Sequence, residues 1–330
     1  LTRTKCVKAE RGRDRWIATL KDMLSGSETA ISAKVVINAT GPWVSRLFGE
    51  SLSMKAPKQI RMVKGSHIVV PRLNQDTEAY ILQNEDDRIV FVIPYEDNFS
   101  LIGTTDVEYE GDPKAASISP EETRYLLDIV NAYFRQQLET SDVIWSYSGV
   151  RPLMDDEEEP AQKASRDYSF EVNEGAGLPP LISVFGGKIT TFRKLAEAVT
   201  NRLCDYFPEA GQEWTRSAVL PGGDFANQDE LAAQMRTRFP WLPEAAISRY
   251  VRTYGTSAFD FLEGCHSLAD LGTAFTPTLF QSEVDYLVAC EWAITTDDVL
   301  WRRTKQGLYI SEEKRALLQG YLKETALARR

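Results

Sequence analysis

Histidine is scarce in this chain of 330 residues, which contains two. Cysteine is little better represented: Cys6, Cys204, Cys265 and Cys290 lie far apart and form no C-x-x-C pair. With so few imidazoles and no thiol spacing, no zinc site and no other metal is expected. Unpaired thiols suit a reducing cytoplasm. Basic residues are the minority charge, 38 Lys and Arg against 48 Asp and Glu, for a net charge of −10. Nucleic-acid binders draw their affinity mainly from cations set on phosphates, so that class is excluded. No apolar run approaches the roughly 18 residues of a spanning helix, and the opening residues do not read as a signal peptide. The chain starts on Leu1 rather than Met, which leaves truncation or processing open.

What is present is globular. Hydrophobic residues make up 43% and charged residues 26%, the balance of a soluble protein able to bury cores in two or three domains. "RWIATLKD" and "AISAKVVINATG" read as two strands joined by a turn at Ser25-Gly26-Ser27. Val35, Val36 and Ile37 are apolar on both faces, as in a buried strand of a layered α/β sheet. Gly41-Pro42 ends that strand. From about residue 60, "SHIVVPR", "AYILQ", "RIVFVIPY" and "FSLIGTTD" are short β runs between polar clusters, the pattern of an antiparallel meander. "EETRYLLDIVNAYF" follows as an amphipathic helix with Tyr125, Leu126, Ile129, Val130, Tyr133 and Phe134 on one face. "DVIWSYSGV" is a further strand, and the acidic run Asp155–Glu159 reads as a solvated loop rather than a metal site. "PPLISVFGG" returns to a buried strand and enters a helix striped by Phe192, Leu195, Val199 and Leu203. Beyond residue 228 the chain reads as short helices.

Two glycine turns follow buried strands, in "VVINATGPW" and "LISVFGGKITT". The second has the residue types of a phosphate loop but not the Walker spacing. Ile189 follows Lys188 where Ser or Thr is required, and Ile182 stands where the first Gly should be. Ligands of open α/β sheets bind beyond the carboxyl ends of strands, and glycine there admits close backbone approach. An ordinary turn is the plain alternative at either place.

The candidate cations are Lys64, Arg88, Arg151 and Lys188; "KGSH" and "GVRP" put a positive group at the edge of a β segment, where an anionic substrate would need one. A surface ion pair is the alternative for each. His67 heads the strand "HIVV" and is either structural or a base. Thr104-Thr105-Asp106 is either a turn or a corner facing the site. The residues alone give an α/β protein with a β-sheet insertion, a helical tail and an anionic small-molecule ligand.

Longer strings say more. "VINATGPWV", "KGSHIVVPR", "YILQNEDDRIVFVIPY", "LIGTTDVEYEGDPKA", "YSGVRPL", "SVFGGKITTFRKLAE" and "LWRRTKQGLY" together resemble the aerobic FAD-dependent glycerol-3-phosphate dehydrogenases of bacteria, in the same order along nearly the whole chain. The resemblance implies an α/β (overall α+β) fold in three parts. Residues 1–50 and 151–210 would be remaining parts of a Rossmann-like FAD-binding domain. Residues 51–150 would form a mostly antiparallel β substrate domain, and 211–330 a helical domain. The family's N-terminal G-x-G-x-x-G βαβ unit is missing, so the chain resembles a member with its first part removed, expected to bind FAD weakly or not at all and to be inactive alone.

By the same resemblance Gly186, Gly187, Lys188, Ile189 and Thr190 would lie over the flavin, with N–H groups aimed at its pyrimidine end. Ala39, Thr40, Gly41 and Trp43 would line the cofactor crevice. Arg151 and Lys188 are the first choices for binding and oxidising glycerol 3-phosphate, with Arg88 and His67 second. The implied electron acceptor is a membrane quinone, which puts the enzyme in the cytoplasm, peripheral on the inner face of the cytoplasmic membrane. A homodimer is left open. The alternatives are a glycerol-3-phosphate oxidase, another flavin amine or alcohol oxidase of the same broad fold, or a non-catalytic folded fragment.

Overall fold

The computed structural model of the chain describes all residues except 85, 87, 155–167, 176, 329 and 330. The acidic run Asp155–Glu159 therefore lies outside the described residues. The chain divides into two compact units, Leu1–Arg216 and Ser217–Arg330.

The first unit opens with β1 (Thr4–Arg11), β2 (Trp16–Asp22) and β3 (Glu28–Ala33), which form an antiparallel sheet in that order. Trp16 anchors it. Its side chain is fully buried and its indole N–H donates to the carbonyls of Pro179 and Pro180, 3.2 and 3.0 Å away. The sequence suggested one strand across "AISAKVVINATG", but the chain splits there. β4 (Val36–Asn38) leaves the first sheet and pairs in parallel with β12 (Leu181–Gly186), which pairs on its other side with β11 (Tyr168–Asn173). β3 completes a hairpin with β2, whereas β4 needs a parallel partner from far along the chain, so one run serves two sheets. Ile37 is 42% exposed instead of buried, because β4 is the outer strand of its sheet and its side chain borders a cavity. The helix α1 (Val44–Glu50) follows the turn after β4.

A third, six-stranded sheet is built from β5 (Ile60–Pro71), β6 (Tyr80–Gln83), β7 (Ile89–Tyr95), β8 (Phe99–Gly103), β9 (Val107–Glu108) and β10 (Trp145–Met154). Its order is β10-β5-β8-β7-β6, with β9 also on β5, and these pairings are antiparallel. Because side chains alternate across a strand, β5 has two characters. Ile68 and Val70 join Val90, Val92 and Ile102 on the face packed against α2 (Pro120–Tyr133), which contributes Leu126, Leu127, Ile129 and Val130. Gly65 and His67 project from the other face. α2 starts at a capping box: Ser119 accepts from the Glu122 N–H, and the Glu122 carboxylate accepts from the Ser119 N–H. Tyr133, expected on the same face as Leu126 and Val130, ends the helix exposed, its hydroxyl donating to the Gln83 carbonyl.

α3 (Phe192–Cys204) lays Leu195, Val199 and Leu203 on Ile182 and Val184 of β12. Phe192, expected in the same stripe, is 62% exposed because its end of the helix stands at the cavity mouth rather than over the sheet.

The second unit is helical: α4 (Gln228–Arg238), α5 (Glu244–Tyr254), α6 (Ala258–Leu262), α7 (Gln281–Cys290) and α8 (Glu312–Ala328). Leu231, Met235, Ile247, Tyr250, Phe261 and Phe275 are among its buried core. A buried pair, Arg249 and Glu283, sits inside, with the Tyr254 hydroxyl donating to the carboxylate at 2.6 Å. Among the described residues no helix is long and apolar enough to cross a membrane.

Candidate active site

β12 delivers the chain into Gly186 and Gly187, whose φ angles are +72° and +100°. L-residues pay steric strain in that region, and glycine does not. The backbone can therefore turn at once into a short 3-10 turn at Ile189–Thr191 and then α3. Beside this bend is a cavity of about 1010 Å³. Gly186, Gly187, Lys188, Ile189 and Thr190 form one wall, Ala39 and Gly41 of the loop after β4 another. β10 supplies Arg151, among the apolar Val150, Pro152 and Leu153.

Two residues predicted from sequence stand off the wall. The Thr40 hydroxyl donates to Asn38 at 2.7 Å. Trp43 closes the 3-10 turn Gly41–Trp43 and caps α1, while Pro42 lines the cavity there.

The register of β10 on β5 sets Arg151 opposite Val63, Gly149 opposite Gly65 and Tyr147 opposite His67. Arg151, Gly65 and His67 thus share one face of the sheet. The guanidinium forms an ion pair with Asp106 and donates to Thr104 Oγ1 at 3.2 Å. It lies so close over Gly65 that a Cβ there would come within 2.5 Å of it. Of the corner Thr104-Thr105-Asp106, Thr104 and Asp106 turn toward Arg151 and Thr105 turns toward Glu122.

His67 lies beside Arg151. Its ring stacks on Tyr147 and covers Gly103, where a Cβ would fall 2.1 Å from the imidazole. Nδ1 is buried and has no hydrogen-bond partner among the described residues. Burial, and secondarily the Arg151 charge, hold the His67 pKa below its ordinary value. The imidazole is therefore neutral at neutral pH and able to accept a proton.

The other cations differ. Lys188 is exposed at the cavity and forms no ion pair among the described residues. Lys64 points to the opposite face of β5, buried, with Glu122 at 2.8 Å and the Ser117 carbonyl at 2.7 Å. Arg88 pairs with Asp86 and lies 4.0 Å over the Tyr125 ring, away from the cavity wall. Sequence reasoning did not single out Tyr147. The signal was there: it precedes Arg151 by four residues on a strand, so both share a face.

A family profile described as FAD dependent oxidoreductase matches residues 1–193. Another, described as the C-terminal domain of alpha-glycerophosphate oxidase, matches residues 214–326. The chain is 46% identical over 325 residues to the aerobic glycerol-3-phosphate dehydrogenase of Escherichia coli K12, covering 98% of this chain and 65% of that protein. It is 42% identical over 318 residues to the D-erythritol 1-phosphate dehydrogenase of Brucella abortus, covering 96% and 63%. Among solved structures, the glycerol-3-phosphate dehydrogenase of Bacillus halodurans complexed with FAD superposes with a TM-score of 0.75 at 26% identity, covering 98% of this chain and 68% of that one. The chain thus spans just under two thirds of the length of these curated relatives.

Proposed function

The chain belongs to the family of FAD-dependent oxidoreductases, and from that premise we propose that it oxidises sn-glycerol 3-phosphate to dihydroxyacetone phosphate, with FAD as the two-electron acceptor and a membrane quinone as the final one. Glycerol 3-phosphate is the substrate in the names of relatives at 46% and 48% identity.

The cavity walls fit the ring-bearing part of such a cofactor. The bend at Gly186 and Gly187 leaves a wall of bare backbone, and Ile37, Val150, Pro152 and Leu153 provide apolar surface. The 3-10 turn that starts at Ile189 has no side-chain cap, so its first N–H groups are available to an electron-rich ring edge. When bound, FAD supplies the acceptor for the hydride leaving C2 of the substrate.

The remaining work falls to side chains. Arg151, with part of its fork held by Asp106 and Thr104, offers its remaining donors to the substrate phosphate. Neutral His67 takes the proton from the C2 hydroxyl as the C–H bond breaks, and Lys188 steadies the negative charge that develops on that oxygen. Arg88, engaged with Asp86 and Tyr125, has no part in this scheme.

The single observation supporting the reading is that Arg151 and Lys188 border one cavity at a glycine bend, with a half-buried histidine beside the arginine. A lipid-soluble acceptor puts the protein on the inner face of the cytoplasmic membrane. The second reading, favoured by the alpha-glycerophosphate oxidase description of the 214–326 match, has oxygen as acceptor. The test is steady-state turnover of the FAD-loaded protein with glycerol 3-phosphate, using a soluble quinone under nitrogen and then oxygen alone. Turnover only with the quinone supports dehydrogenase chemistry. Equal oxygen consumption supports the oxidase, and no turnover with either favours the inactive-fragment alternative over both.

A further inference from the structure

We propose that Thr105, which borders no part of the cavity, is a positioning residue that sets the Arg151 guanidinium for the substrate phosphate. The inference rests on the reading of Arg151 as the phosphate ligand.

Thr105 lies between the two residues that grip Arg151, Thr104 and Asp106. Its own side chain turns the other way and is buried to 1% exposure. Its hydroxyl donates to Glu122 Oε1 at 2.8 Å and accepts the Ser66 N–H at 3.0 Å, while its own N–H donates to the Ser66 carbonyl at 3.3 Å. Ser66 separates Gly65, under the guanidinium, from His67. Ser66 also gives its hydroxyl to Glu122 at 3.1 Å. The same carboxylate is fixed by Lys64 at 2.8 Å and by the Ser119 N–H at 2.7 Å. One threonine hydroxyl thus ties the segment carrying Arg151's partners to the strand beneath Arg151, and ties both to the first turn of α2.

The consequence is mechanical. Without the hydroxyl, Ser66 N–H and Glu122 each lose a buried partner, and a single 3.3 Å hydrogen bond holds Thr105 to Ser66. Asp106 and Thr104 then move, and the guanidinium moves with them. Displacement by about 1 Å of a group that aligns substrate costs on the order of 100-fold in rate.

The experiment compares Thr105→Val, Thr105→Ser and Arg151→Gln in the FAD-loaded protein. It reads KM for glycerol 3-phosphate, kcat, the inhibition constant of inorganic phosphate, and FAD affinity. The expected result is a rise of about tenfold or more in both KM and the phosphate inhibition constant for Thr105→Val, in the same direction as Arg151→Gln. FAD affinity should stay unchanged and Thr105→Ser should restore both constants. If Thr105→Val does not fold, Thr105→Cys takes its place with the same expectation. Wild-type phosphate inhibition in Thr105→Val, with Arg151→Gln impaired, overturns the positioning role and leaves the reading of Arg151 standing. Equal impairment of Thr105→Ser and Thr105→Val overturns the role of the hydroxyl. Wild-type constants in Arg151→Gln overturn the reading of Arg151 and this inference with it.

Discussion

The His67 imidazole stacks on the Tyr147 ring, with centroids 4.9 Å apart and planes 6° from parallel. Burial of the ring, and secondarily the Arg151 charge, make this a poor place for a second positive charge, and the His67 pKa lies below its ordinary value of 6.5. The unfolded chain takes that proton near 6.5, the folded chain only at lower pH. Between the two values the unfolded state binds more protons, so folding stability is complete above 6.5 and falls as pH drops below it. Urea midpoints between pH 8 and 5.5 should show this decline, and His67→Gln should flatten it. In the same range kcat/KM should fall with an apparent pKa below 6.5, as the proton acceptor is lost. An unchanged decline in His67→Gln would remove His67 from both effects.

Arg151→Gln and Lys188→Gln should each lower kcat/KM for glycerol 3-phosphate by about tenfold or more, the loss of a charge-assisted hydrogen bond of about 1.5–3 kcal/mol. Arg151→Lys should recover little, because one point charge cannot meet Asp106, Thr104 and a phosphate together. Visible spectra should stay those of the parent protein. Normal kinetics in both Gln variants would contradict the assignment.

Lys64 and Glu122 form a buried ion pair behind the site. Burial pushes the Glu122 carboxyl up, but Lys64, the Ser119 N–H and Thr105 outweigh it and hold its pKa below the ordinary value. Lys64→Met should cost about 3–5 kcal/mol by stranding the carboxylate. The double variant Lys64→Met/Glu122→Leu should cost much less than the sum of the two single changes. Denaturant unfolding of the three variants measures this, and simple additivity would show that the two residues do not act as a pair.

Much of this was legible in the residues. The "SHIVVPR" to "FSLIGTTD" runs, short and separated by polar clusters, point to the antiparallel sheet, and "LISVFGG" gives the buried strand that leads to the glycine bend. The split between β3 and β4 was not legible, because a local hairpin and a parallel partner about 145 positions away leave the same apolar run. The fates of the cations were hidden for a similar reason. Lys64 and Arg151 both sit at β edges in sequence, yet the two-residue period of β5 and the register of β10 turn one toward Glu122 and the other toward the cavity. Phe192 and Ile37 looked like core because periodicity reports a face, not what that face meets.

The most direct test of the account is to mix the FAD-loaded protein with sn-glycerol 3-phosphate in the absence of oxygen and record the flavin spectrum. The account predicts loss of the oxidised flavin band, one dihydroxyacetone phosphate formed per flavin, and much slower bleaching in Arg151→Gln and Lys188→Gln. A flavin that binds but stays oxidised in the presence of glycerol 3-phosphate, or that bleaches equally fast in both variants, would contradict it.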